Sequence, residues 1–74
     1  MQITYDEVAD GLYIQLKNEK PHETEEVQDG VIVDYNEDGY VTGLEILGFS
    51  NQKIDLNKLI GMKDEEIISM VVRK

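Results

Sequence analysis

The stretch from residue 29 to residue 47, DGVIVDYNEDGYVTGLEIL, constrains the fold more than any other part of the chain. Val31-Ile32-Val33-Asp34-Tyr35 is β-branched and aromatic, as strands prefer. Asn36-Glu37-Asp38-Gly39 has turn formers at three of its four positions, and Gly39 suits the left-handed position of a type I turn followed by a bulge. Strands folded back on that turn set Asn36 opposite Tyr40, Asp34 opposite Thr42 and Ile32 opposite Leu44. Ile32, Leu44 and Ile46 then share one face. Val31, Val33, Tyr35, Val41 and Leu47 share the other, with Glu45 among them. Both faces are partly apolar in this register, whereas an antiparallel sheet with one wet face alternates cleanly. The expectation is a cover over part of the second face, either the C-terminal segment or another copy of the chain.

The rest of the chain reads as additions to this hairpin. Ile3 and Tyr5 alternate with Gln2 and Thr4 as a short first strand. Asp6 and Gly11 bracket a turn, the one as a cap and the other as a residue free to take positive φ. Leu12, Ile14 and Leu16 face one way in a second strand, with Tyr13, Gln15 and Lys17 opposite. Residues 18–24 are polar and hold Pro21, so they read as a loop. Glu25-Glu26-Val27 leads into the third strand, with Asp29-Gly30 as a bulge or bend inside it. Gly48 ends the fourth strand. Residues 54–61 fit a short helix with Asp55 as N-cap, Gly61 as stop and an Ile54–Leu59 staple. Residues 64–72 read as a second helix, with acids at its start and Arg73 and Lys74 at its end. The β-branched run Ile67-Ile68-Ser69-Met70-Val71-Val72 keeps a fifth strand as the alternative.

The predicted fold is therefore α+β: a four-stranded antiparallel meander with a C-terminal helical segment packed on one face. One domain spans residues 1–74, the meander filling 1–48 and the connection and helices 49–74. With 74 residues and no cysteine, the chain has no disulfide or thiolate–metal staple. Its start is patterned and acidic, unlike a signal peptide. No apolar run approaches the ~20 residues of a membrane helix. A soluble, cytoplasmic protein with no membrane partner is expected.

Sixteen acids against seven Lys and Arg give a net charge of -9. Such a chain repels phosphate, so direct nucleic-acid binding is not expected. The charge allows a basic protein partner, although acidity also serves to keep a small protein soluble.

Asp34-x-Asn36-x-Asp38-Gly39-x5-Glu45 matches a calcium-loop pattern. Calcium needs these oxygens to converge at about 2.3–2.6 Å, and the chain after the glycine must wrap into a helix. Here it reads as a strand, and six residues at ~3.3 Å carry Glu45 about 20 Å from the turn. The residues are therefore read as hairpin chemistry. His22, Glu23, Glu25 and Glu26 gather an imidazole and three carboxylates in and beside a polar loop, where a lone histidine is ordinarily solvated. Ser50 and Ser69 lie in no nucleophile motif, and the glycines show no phosphate-cradling spacing. Tyr5, Tyr13, Tyr35 and Tyr40 are read as sheet-edge tyrosines with wet hydroxyls rather than a shared binding surface. No catalytic residue, metal ligand or cofactor site is assigned.

Three runs carry a family resemblance: Tyr5-Asp6-x-x-Ala9-Asp10-x-Leu12-Tyr13-Ile14-x-Leu16; Glu25-Glu26-Val27 with Asp29-Gly30-Val31-Ile32-Val33-Asp34; and Asp38-Gly39-x-Val41-x-Gly43-Leu44-Glu45-Ile46-Leu47. Together they resemble the small prokaryotic proteins grouped as domain of unknown function 2283, over residues 1 to about 50. The resemblance implies a small antiparallel meander, no assigned activity and no catalytic residues to carry over. It adds weight to a role as an antitoxin-like partner of a small toxin. The expected function is a non-enzymatic acidic module that binds a small basic protein. The alternative is a self-associating domain that buries its second face in a homodimer.

Overall fold

The computed structural model describes residues 1–72. Its elements are β1 (Gln2–Asp6), β2 (Gly11–Gln15), β3 (Glu23–Gln28), β4 (Val31–Tyr35), β5 (Val41–Leu47), a 3-10 turn (Phe49–Asn51), α1 (Leu56–Ile60) and α2 (Asp64–Val71). The class is α+β, as expected, but the antiparallel sheet has five strands rather than four, in the order β1-β2-β5-β4-β3. Asp29-Gly30 is not a bend within a strand. It is a two-residue turn between Gln28 and Val31, with Gly30 at φ 77°, and it makes β3 and β4 a separate hairpin. The acidic run at 23–26 forms a strand because it lies at the sheet edge, where charged side chains stay in water.

The chain is also not a meander in sequence order. β5 lies between β2 and β4, so the β2–β3 loop crosses the end of the sheet in a Greek-key arrangement. The interior position suits β5, whose Leu44 and Ile46 are buried while Leu12 and Ile14 of β2 flank them on one side and Val31 and Val33 of β4 on the other.

The turn after β4 forms as its residues dictate. Asn36 N–H donates to the Tyr40 carbonyl at 2.9 Å, and Gly39, at φ 86°, donates to the Asn36 carbonyl at 3.0 Å. Tyr35 pairs with Val41, in the expected register. Thr42 is then an extra residue, and from Asp34 onward the register shifts: Asp34 pairs with Gly43, Val33 with Leu44, Ile32 with Glu45 and Val31 with Ile46. The carbonyl of Thr42 accepts from both Leu16 N–H and Lys17 N–H, at 2.9 and 3.1 Å, as a bulge permits. Its buried hydroxyl donates to the Asp34 carbonyl at 3.3 Å.

A one-residue slip turns every following side chain to the other face. Val31, Val33, Leu44 and Ile46 consequently join Leu12 and Ile14 on a single buried face. The expectation of two half-apolar faces is overturned, and with it the need for a cover over the second one.

The helices cover the apolar face. Leu59 of α1 and Ile67 and Val71 of α2 are buried in one cluster with the sheet residues. Asp55 caps α1, its carboxylate accepting from Asn57 N–H at 2.9 Å, and Gly61 follows the helix. Residues 64–71 are helical, not a strand: Asp64, Glu65 and Glu66 occupy the first turn, where the helix dipole favours acids, and Glu66 accepts from Lys63 N–H at 3.0 Å. Arg73 and Lys74, expected at the end of this helix, lie outside the described residues. No helix among the described residues is long and apolar enough to cross a membrane.

Candidate functional site

The strand registers place Gln2, Thr4 and Asp6, Tyr13 and Gln15, Gly43, Glu45 and Leu47, Ile32 and Asp34, and Thr24 and Glu26 on the outer face of the sheet. Each buried core residue of the sheet points to the opposite side. None of the five strands contains Lys, Arg or His, whereas this face carries Asp6, Glu26, Asp34 and Glu45. Ile32 is half-buried and Leu47 is 38% exposed, so the carboxylates are interleaved with apolar surface.

A hydrogen-bonded strap crosses this face. The Tyr13 hydroxyl passes over Gly43 and donates to Asp34 Oδ2 at 2.7 Å, and Thr24 donates to Asp34 Oδ1 at 2.7 Å. β2, β4 and β3 are thereby tied side chain to side chain across β5. Gly43 is required, since any Cβ there would collide with the Tyr13 hydroxyl and stand 2.8 Å from its Cζ. Burial pushes the Tyr13 phenol up to about 12, aided by its bond to Asp34 and by the charges of Asp34 and Glu45.

A phenol whose folded pKa lies above its unfolded value of 10.0 adds stability that is complete below pH 10 and is lost as pH rises toward 12. Tyr13→Phe is expected to remove this alkaline loss and one tyrosine ionisation near pH 12. Its cost at neutral pH is about 1 kcal/mol. Ultraviolet titration beside thermal melts checks both; an unchanged titration curve would refute the strap.

A second polar cluster joins the β1–β2 turn to the C-terminal connection. Asp10, held at φ 51°, accepts from the Tyr5 hydroxyl at 2.6 Å, the Ser50 hydroxyl at 2.6 Å and Ser50 N–H at 3.1 Å. Its carbonyl takes Phe49 N–H at 3.0 Å, and the Tyr5 and Phe49 rings meet at 5.8 Å. The Ser50 and Tyr5 hydrogen bonds hold the Asp10 carboxyl below its ordinary value. That is the wrong direction for a general base, which works best near the operating pH. The pair acts as a latch that fixes where the helical segment leaves the sheet.

The residues of the calcium-like pattern are dispersed. Asp34 belongs to the strap. Asn36 Oδ1 accepts from Asp38 N–H at 3.0 Å and Tyr40 N–H at 2.9 Å, so it shapes the turn. Glu45 lies well along β5, opposite Ile32 and Tyr13. His22 is exposed, and its N–H closes the start of β3 on the Tyr35 carbonyl at 2.8 Å. Among the described residues, no group of three or more His, Asp or Glu side chains stands close enough to hold a metal ion. The tyrosines do not share a surface either. Tyr5 binds the latch, Tyr13 the strap, Tyr35 packs against the core, and Tyr40 is exposed beneath Lys17 Nζ at 5.5 Å.

Fold and face define a small acidic α+β protein that shields one side of its sheet with helices and leaves carboxylates and a strapped tyrosine on the other. A family model described as protein of unknown function (DUF2283) matches residues 2–50, and the chain belongs to that family. No curated protein and no solved structure matches it.

Proposed function

We propose that this protein is a non-enzymatic binding module that takes a small basic protein on the outer face of its sheet, in the manner of an antitoxin. The observation that carries this reading is the segregation of charge. Asp6, Glu26, Asp34 and Glu45 share that face without a cation in any strand, and the described lysines lie in the β2–β3 loop and the helical segment. A face of one sign steers an opposite charge to itself, and Ile32 and Leu47 offer apolar contact once it has docked.

The test is affinity capture from host extract with three baits: the native chain, Glu26→Lys/Glu45→Lys, and Lys53→Glu/Lys58→Glu. The native chain and the helix-side variant are expected to retain the same basic protein. Reversal of the face should weaken its binding at least about tenfold, with a strong salt dependence. Recovery of no basic protein, or equal recovery by the face variant, overturns the reading.

A further inference from the structure

The two edges of the sheet are guarded differently. β3 carries Glu23, Glu25 and Glu26 and a register shift between Glu26 and Gln28. Charges and bulges are what natural sheets use to keep an edge from pairing. β1, QITYD, has neither along its length. Its register with β2 is unbroken from Gln2 to Asp6, its one charge is terminal, and Gln2, Thr4, Tyr5 and Asp6 are exposed. Among the described residues, β2 is its only neighbour in the sheet.

We propose that β1 pairs antiparallel with β1 of a second copy of this chain, across a two-fold axis at Thr4, so that two sheets become one. The occupant follows from the sequence of the edge, which complements its own reverse. With Thr4 opposite Thr4, each Ile3 meets the partner's Tyr5, a β-branched–aromatic pair of the kind that stabilises sheets. Each Gln2 amide meets the partner's Asp6 carboxylate. The two Asp6 side chains are then separated by four residues of strand, about 13 Å, beyond the screening length at physiological salt. The same operation at β3 would crowd Glu23, Glu25 and Glu26 against their copies. Residues two apart point the same way, so a register centred on one residue also matches outward backbone groups with outward ones.

The pairing uses an edge and leaves the outer face open, so it stands or falls independently of the basic partner. Salt separates the two. Binding of a basic protein weakens as salt rises, whereas two chains each of charge -9 associate better when their repulsion is screened. The pairing involves five residues of each strand, so the interface is small and the dimer is of the weak class that forms at high protein concentration.

Sedimentation velocity of the full chain, from about 10 µM to 1 mM at low and high salt, is expected to show a dimer that grows with both concentration and salt. Thr4→Lys and Thr4→Glu each set like charges across the axis and should weaken it at least tenfold, while mixing the two variants should restore a heterodimer. Thr4 is exposed on an edge strand, so both variants are expected to fold, with circular dichroism as the check. A native chain monomeric at the highest concentration, a Thr4→Lys chain that dimerises like the native one, or a mixture that gains nothing would overturn the proposal.

Discussion

Ile67→Asp is expected to leave the chain unfolded at room temperature. Ile67 is fully buried, in one cluster with Leu59 and Val71 of the helices and Leu12, Ile14, Leu44 and Ile46 of the sheet. A carboxylate there has no partner and costs several kcal/mol, on top of the lost apolar contact. A chain of 74 residues has only about 4–11 kcal/mol in total. Ile67→Ala is the milder test: a loss of about 2–5 kcal/mol, or roughly 10–30 °C in Tm. Ser69→Ala, at an exposed position of the same helix beyond its first turn, should change stability by less than about 0.5 kcal/mol. Thermal melts followed by circular dichroism compare the three. An Ile67→Asp chain that melts like the native one would show that α2 does not close the core. The family match ends at residue 50, yet Leu59, Ile67 and Val71 of the core lie beyond it. A chain cut after residue 50 would expose Leu12, Ile14, Val33, Leu44 and Ile46 together, and is expected not to fold alone.

Much of this architecture could be read from local chemistry. The turn at 36–39 forms because Asn and Gly favour the conformations it needs, and the cap at Asp55 and the acids at 64–66 mark both helices. What escaped was the residue that belongs to no pair. Thr42 is an ordinary strand residue, and nothing in its type announces a bulge. The clue lay in the consequence: an unbroken register divided the apolar residues between two faces, whereas a slip of one gathers Val31, Val33, Leu44 and Ile46 on one. A hairpin that comes out half-apolar on both sides is thus evidence for a bulge at least as much as for a hidden partner. The fifth strand escaped for a different reason. Glu25-Glu26-Val27 reads as the start of a strand, but Asp29-Gly30 turns the chain back instead of bending it within that strand, and Glu23-Thr24, with the composition of a loop, joins only because it lies at the edge of a sheet built by other residues.

The outer-face site was legible only in part. Its carboxylates were counted in the net charge, but their gathering on one face depends on the register. The strap left one sequence signal, a glycine in the middle of β5, where glycine weakens a strand unless something must approach its backbone. Tyr13 is what approaches. It pairs with Glu45 across the ladder and leans diagonally over Gly43 to reach Asp34.

Gly43→Val puts that relation to the strongest test. Valine favours strands by up to about 1 kcal/mol, so propensity alone predicts a gain. The collision with Tyr13 predicts the opposite. The new side chain would displace the ring, break the 2.7 Å bond to Asp34 and crowd Asp34 Oδ2, which lies 3.2 Å from a Cβ at this position. Overpacking costs about 1–3 kcal/mol and the hydrogen bond about 1 kcal/mol more, which after the propensity gain leaves a net loss of roughly 1–4 kcal/mol, or about 5–25 °C in Tm. Tyr13→Ala removes the obstacle, and in that background Gly43→Val is expected to be neutral or stabilising. The coupling between the two positions should therefore reach at least about 2 kcal/mol in a double-mutant cycle. Denaturant melts of the four proteins give that value. A coupling near zero would mean that Tyr13 does not lie across Gly43. A large one would establish that the face is held in shape by its own tyrosine before any partner arrives.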